Sequence, residues 1–440
     1  MKKEEFADIF NMLDINKKRL AIISNEVGFI KRIRKVDSAD LLYSLSMESM
    51  KGIASCNDIA AAIEEESGTS VSRQAIWKKV TNACVAYFRL VLELVILGKT
   101  NIYQEQGKIS SYKFKRVLVQ DSTLIRLPNK LFVLFSGISN QSTAVCHARI
   151  QGIYDLLSGK FISFSINPYS KNDQVSAPDM EIRKDDLTLR DRGYLSVNEI
   201  KRHLYFGAHC IYRHKMKMLL LDPSTETPID LCDRLKKESN LDISVMLNDE
   251  DKTIIRLVAS PVDQQTADNR RMKAKKEMKG HHPNKQFLQL QSWTIFLTTI
   301  TSDQVDFDTL LEIYGLRWRI ETIFKSWKSN LNFDHIHNVS NTQLQIIILA
   351  RLIMILIITQ FTYPLCKKLI YNYIKKYVSI LKLTKYLNRN PSKICIILRD
   401  LRRYPYQITQ SVKNIARYCV YDERRRLNAI QKMDILFALS

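Results

Sequence analysis

Tyr314, Arg317, Glu321 and Lys328 lie at steps of three, four and seven residues in the segment YGLRWRIETIFKSWKSNL. On a helix turning about 100° per residue they project within a wedge of roughly 60°. One carboxylate then sits among two cations and a phenol along a single stripe. The apolar arc Ile313, Leu316, Ile320, Ile323, Phe324 and Trp327 borders that stripe, so it runs along the edge of a buried face. A glutamate fixed there, flanked by anion-binding groups, could hold a metal against a phosphate.

A metal needs further ligands, and two aspartates are placed to supply them. Asp121 closes the apolar segment RVLVQ (116–120), and Asp191 follows DLTL (186–189). Both segments read as short strands, and ligands bind beyond strand ends in open α/β sheets. If the strands are neighbours, the two carboxylates meet within several ångströms, and Glu321 completes an oxygen set suited to Mg²⁺ or Mn²⁺. Two such ions about 3.5–4 Å apart can activate a water or a 3′-hydroxyl in phosphodiester displacement. Three converging carboxylates repel one another unless a cation joins them. Taken singly, each acid could instead serve as an ordinary turn, cap or helix-face residue. His335 and His337 in FDHIHN read as structural or DNA-adjacent, and Asp334 lies off the stripe.

The elements that must carry these acids can be read in order. Residues 1–105 are helical in pattern, and NDIAAAIEEE (57–66), a break at 67–70 and SRQAIWKKV (72–80) suggest a helix-turn-helix. There Ser70 or Ser72 would cap the second helix, with Arg73, Gln74, Lys78 and Lys79 contacting DNA. Strand patterns follow at 116–120, 144–154 and 160–166, the last two closing a hairpin around Ser158-Gly159. A short helix at 179–183, the strand at 186–189, a helix at 197–203 and a strand at 205–212 complete the order expected of a ribonuclease-H-like α/β core. Strand patterns at 243–247, 253–258 and 287–299 then form a β-rich insertion, which contains the basic run 269–285, a solvated arm or a phosphate track. The expected division is a helical DNA-binding domain (1–105), a first core part (106–212), the insertion (213–303), a second core part bearing the Glu321 helix (304–362) and a basic helical C-terminal region (363–440).

Composition narrows the partner. The chain of 440 residues carries 67 Lys and Arg against 45 Asp and Glu, a net charge of +22, which points to a polyanion, nucleic acid first and acidic membrane second. From residue 363 onward 17 basic residues face 4 acids, so the last part of the chain is the most basic. The eight cysteines are scattered with no CxxC pair, against a zinc site or disulfide framework and in keeping with a reducing cytoplasm. No secretory signal is read in MKKEEFADIF. The apolar run at 346–358 contains Arg351 and falls short of the roughly 20 residues that span a bilayer, so it reads as a buried core helix with no membrane role.

The segment YGLRWRIETIFKSWKSNL resembles the Tyr-x2-Arg-x3-Glu-x6-Lys signature of the YREK group of bacterial insertion-sequence DDE transposases, the insertion sequence 4 type. Asp121 in VLVQDST resembles that family's first catalytic Asp, and Asp191 in LTLRDRGY its second. VSRQAIWKKV resembles its N-terminal DNA-binding region. The resemblance implies that Asp121, Asp191 and Glu321 bind two Mg²⁺ or Mn²⁺ ions, cut the transposon-end strand and pass its 3′-hydroxyl to target DNA or, through a hairpin, to the opposite strand. Tyr314, Arg317 and Lys328 would then grip phosphates of the cut end. Trp293 resembles the aromatic that takes the place of a flipped base, and Trp318 is a second candidate for stacking on DNA. Also implied are terminal inverted repeats as substrate, a homodimer on paired ends and a nucleoid-associated, cytoplasmic location. The alternatives are a related metal-dependent nuclease without strand transfer and an inactive DNA-binding relative.

Overall fold

A computed structural model describes the chain apart from residues 31, 33–34, 53, 99–113, 141–142, 172–176, 217, 278–282, 405–406, 423–426 and 438–440, and apart from the side chains of 138–140 and 143–144. It is a mixed α/β structure built on one sheet. The strands are β1 (Arg116–Arg126), β2 (Ser136–Asn140), β3 (Thr143–Asp155), β4 (Lys160–Pro168), β5 (Asp186–Arg190), β6 (His209–Arg213), β7 (Leu220–Leu221), β8 (Leu241–Leu247), β9 (Ile254–Pro261) and β10 (Trp293–Thr298). They run in the order β2-β3-β1-β5-β6-β10-β9-β8-β7, with β4 also paired to β3. β3 runs antiparallel to both β1 and β4, while β5 runs parallel to β1 and β6 parallel to β5.

The hairpin of β3 and β4 turns through Gly159 at φ +70°, a left-handed conformation that favours glycine. β5, with burial on both faces along all five residues, occupies the middle of the sheet. Four sequence expectations are corrected. β1 does not stop before Asp121 but continues to Arg126, because β3 pairs with it along that whole length. No helix forms at 179–183; those residues carry no regular secondary structure and lead into the turn before β5. The strand expected from 205 begins at His209, since helix 197–203 extends to Tyr205 and needs Gly207 at φ +61° to reverse the chain. The apolar stretch 287–299 divides into a short helix and β10, and β10 joins β6, so the insertion lengthens the core sheet.

Helices cover this sheet. The N-terminal set is α1 (Lys3–Met12), α2 (Lys17–Glu26), α3 (Ser38–Met50), α4 (Cys56–Ser67), α5 (Arg73–Trp77) and α6 (Asn82–Leu97). The central part holds α7 (Val197–Tyr205), α8 (Leu231–Lys237), α9 (Gln264–Glu277), α10 (Lys285–Leu290), α11 (Phe307–Gly315) and α12 (Trp318–Leu331). Then come α13 (Asn341–Leu356), a π-helical stretch (Ile357–Thr362), α14 (Tyr363–Ile374), α15 (Ile380–Arg389), α16 (Ser392–Arg403), α17 (Gln410–Tyr418) and α18 (Ala429–Phe437). The basic run expected as an arm is helical through Glu277, as α9, and its continuation lies outside the described residues. One apolar core joins the N-terminal helices, one face of the sheet and the C-terminal helices, while the insertion packs a second core with Tyr194, Leu257 and Leu297.

The apolar run at 346–358 forms part of a continuous helix from Asn341 to Ile374, long and apolar enough to cross a membrane, but 94% of its most apolar window is buried inside the protein. α13 packs against α6 and α3. Arg351, fully buried, explains how this helix tolerates a charge. Its guanidinium donates to the carbonyls of Ser49, Gly52, Phe333 and His335 at 2.5–3.2 Å. Burial pulls its pKa down to about 10, partly offset by Asp334. The side chain thus ties the end of α3 and the loop after α12 to the core helix. Arg351→Met should cost at least about 3 kcal/mol in urea unfolding, because four buried acceptors lose their donor; an unchanged midpoint would remove this role.

Candidate active site

The parallel register of β1 and β5 sets the first two acids. Gln120 pairs with Arg190, so Asp121 and Asp191 occupy the next level on neighbouring strands and point to the same face. Asp121 sits inside β1, at the point where β5 ends and leaves it on the rim. Its Oδ1 accepts from the Ser122 backbone N–H at 2.8 Å. Glu321 enters from α12, which packs against β1. The three carboxylates line one cavity of about 530 Å³ with Ser122, Arg317, Lys325 and Lys328.

Arg317 holds the centre of this site. Its Nη1 lies 3.2 Å from Asp121 Oδ2 and its Nη2 lies 2.7 Å from Glu321 Oε1, so one guanidinium joins two of the three acids. Its Nε is buried without a hydrogen-bond partner. The side chain is 10% exposed, where charges interact more strongly than at the surface. Burial pushes the Asp121 carboxyl up to about 6, against the Arg317 charge and the Ser122 N–H, with Glu321 and Asp191 adding to the rise. Among the described residues no three acid, His or Cys side chains stand close enough to hold a metal. The geometry accounts for this: a guanidinium takes the place between two carboxylates that a cation between them would need.

The helical stripe expected from 314 to 328 is interrupted. α11 ends at Gly315 and α12 starts at Trp318, and between them the N–H groups of Leu316, Arg317, Arg319 and Ile320 bond three residues back. That tighter 3₁₀-like winding eclipses residues three apart and sets the Arg317 guanidinium over the Tyr314 ring, 6.0 Å from its centroid. Tyr314 is buried against Phe296, with ring centroids 4.3 Å apart, and its hydroxyl donates to the carbonyl of Arg190 at 3.3 Å. It therefore steadies the backbone before Asp191 and does not line the cavity. Lys328 does line it, half-buried, and its Nζ donates to the Leu124 carbonyl at 2.7 Å.

The remaining sites expected from sequence lie elsewhere. Trp318, 64% exposed, follows Arg317 on the outer side of α12. Trp293 does not line the cavity; it packs partly buried on the insertion core, its carbonyl accepting from Arg270 and its Nε1 without a partner. α4 ends at Gly68 in the left-handed conformation, and the Ser72 side chain caps α5 by accepting from the Ala75 N–H. Arg73, Gln74 and Lys78 on α5 and its end are exposed, as is Trp77, and Lys79 is partly exposed. Four polar cavity residues were missed, Ser122, Thr123, Lys325 and Ser329. Lys325 is four residues past Glu321, a spacing that puts it on the same helix face; Ser122 carried no such signal.

A protein whose sheet and helix bring these acids together fits DNA strand-transfer chemistry, and the comparisons define the class. The chain belongs to the transposase DDE domain family, whose model matches residues 112–357. It is similar to the transposase for insertion sequence element IS231B of Bacillus thuringiensis subsp. berliner, 24% identical over 376 residues covering 79% of this chain and 78% of that one. It is also similar to the transposase for insertion sequence element IS1151 of Clostridium perfringens, 23% identical over 397 residues, 85% and 82% of the two chains. A loose likeness, at 10% identity and a TM-score of 0.43, covers 92% of this chain and 82% of that in a cryo-EM structure of a piggyBac transposase synaptic complex with hairpin DNA. The chain is thus an insertion-sequence DDE transposase, an enzyme that cuts and transfers DNA strands with divalent metal.

The raised Asp121 carboxyl has a measurable sign. Between about pH 4 and pH 6 the folded, metal-free chain keeps a proton that the unfolded chain has released, so stability falls as pH rises through that window. Asp121→Asn should therefore stabilise the metal-free protein at pH 7.5 by up to about 3 kcal/mol, with the gain vanishing towards pH 4. Denaturant melts in the presence of chelator would show this; a destabilised variant, or a gain independent of pH, would contradict it.

Proposed function

We propose that Asp121, Asp191 and Glu321 are the catalytic acids of this transposase, and that they hold two divalent ions, Mg²⁺ or Mn²⁺. The single observation that supports this reading is the convergence of the three, from two strands and a helix, on one cavity with a cation bridging two of them. The donor set fits: three carboxylates suit hard divalent ions, and a guanidinium already neutralises part of their charge. Bound ions would activate the attacking water or 3′-hydroxyl and steady the leaving oxygen.

The chain's own residues supply the rest of this account. Arg317 shields Asp121 and Glu321 from each other until the phosphate of an incoming strand draws its guanidinium away, which frees the acids for metal. Arg is suited to that exchange because its fork matches carboxylate and phosphate equally well. Lys325 and Lys328 give point charges along the same wall, and Tyr314 positions Asp191 through the Arg190 carbonyl. Trp318 offers an exposed face for stacking on a base. The α4–α5 pair reads the terminal inverted repeats through Arg73, Gln74, Lys78 and Lys79.

The strand order β4-β3-β1-β5-β6, antiparallel then parallel, supports a ribonuclease-H-like core, and the retained Tyr-Arg-Glu-Lys spacing supports the YREK subgroup. The domain division given from sequence, a homodimer on paired ends and a nucleoid-associated, cytoplasmic location belong to the same reading. A labelled terminal-repeat duplex with a supercoiled target tests it. Asp121→Ala, Asp191→Ala and Glu321→Ala should each reduce Mg²⁺-dependent cleavage and strand transfer by about 10³-fold or more, with end binding kept within a few-fold. Wild-type rates in any one of them would overturn the assignment.

A further inference from the structure

Arg317 holds Asp121 and Glu321, but among the described residues no hydrogen bond or ion pair reaches the Asp191 carboxylate. The β1–β5 ladder does not fix it either, since that pairing ends at Gln120 and Arg190, one level short of the two aspartates. Asp191 is therefore placed by the backbone that carries it. Arg190, buried, donates to Glu199 Oε2 on α7 at 2.6 Å and to the Tyr212 hydroxyl on β6 at 3.2 Å. The chain then winds through one 3₁₀ turn, Arg192–Tyr194, in which the Tyr194 N–H donates to the Asp191 carbonyl at 3.1 Å. Lys215 Nζ holds the exit of the turn, donating to the Leu195 carbonyl at 2.8 Å.

One further bond reaches across to the strand of the other aspartate. Tyr194, buried, donates its hydroxyl to Gln151 Oε1 on β3 at 3.1 Å. Gln151 is fully buried and stands opposite Ser122 in the β1–β3 register, next to Asp121. The path from Asp191 through Tyr194, Gln151 and Ser122 to Asp121 is thus closed by one side-chain bond and one strand pairing. The Tyr194 ring lies 6.0 Å from the Arg190 guanidinium, so its body is held as well as its tip. Burial first, then the Asp121 charge, push the pKa of this hydroxyl well up, which keeps it a neutral donor.

We propose that Tyr194 is a positioning residue, whose bond to Gln151 sets the spacing of the Asp121 and Asp191 carboxylates and, through it, their grip on metal. The inference rests on those acids being metal ligands. A neutral tie suits the task, because it constrains two carboxylates without adding a charge beside them. Groups that orient metal ligands without touching the ion typically carry about 10–100-fold of its affinity or of the rate. Tyr194→Phe isolates the effect, since the ring and its packing stay while the hydroxyl goes.

The test is a calorimetric titration of the full chain with Mn²⁺ in the presence of cleaved-end DNA, beside the cleavage rate in Mg²⁺. Tyr194→Phe should weaken Mn²⁺ binding and slow cleavage by about 10–100-fold each, with affinity for end DNA unchanged. Gln151→Met, which removes the acceptor from the other strand, should lose at least as much, and adding Tyr194→Phe to it should cost nothing further. Tyr194→Phe with both values within about twofold of wild type, or with its full loss repeated in the Gln151→Met background, would overturn the proposal. Asp191→Ala in the same titration tells the two readings apart, and should bind Mn²⁺ far more weakly than wild type. Wild-type affinity there removes the ligand assignment and the tie with it. Lost affinity there, with Tyr194→Phe unaffected, removes the tie alone.

Discussion

Three carboxylates lining one half-dry cleft carry a repulsion that the fold must answer, and the answer in this chain is one buried guanidinium. Arg317 touches Asp121 and Glu321 at the same time, and the rest of the site is arranged around that bridge. Even so, burial leaves Asp121 reluctant to ionise, at about 6. A site in that condition gains from any stronger cation that can enter, provided Arg317 has somewhere better to go. On the proposed reading DNA phosphate is such a place, so metal and DNA binding are expected to favour each other.

The sheet makes the bridge possible. Parallel pairing of β1 and β5 brings Asp121 and Asp191 level, and the long antiparallel partnership with β3 keeps β1 rigid through and past the acid. Tyr314 braces the last carbonyl of β5. The tightened turn between α11 and α12 then stacks Arg317 over the Tyr314 ring, from where its guanidinium reaches both acids. Deeper still, Arg351 anchors the loop beyond α12 to the helix beneath, so the far end of the same wall is fixed as well.

Much of this was legible in the residues. Periodicity exposed the helix bearing Glu321 and the buried run around Arg351, and short β-branched segments exposed β1, β3, β4 and β5. The DDE family resemblance followed from a spacing that chance rarely produces. What was not legible is instructive. Asp121 looked like a strand end because polar Asp-Ser-Thr mimics a turn, yet long-range pairing with β3 overrides that local signal. Arg317 looked like a phosphate ligand alone, since no local pattern reveals that a residue 196 positions away will meet it. Trp293 and β10 read as a separate insertion because pairing with β6 depends on chain geometry outside any window.

Metal affinity in the absence of DNA tests the central claim most directly. Titrated calorimetrically with Mn²⁺, Arg317→Ala should bind about tenfold more tightly than the wild type, and cleaved-end DNA should tighten binding to the wild type far more than to the variant. If Arg317→Ala binds Mn²⁺ no better than the wild type, the guanidinium is a fixed strut of the fold and not a cation that metal must replace.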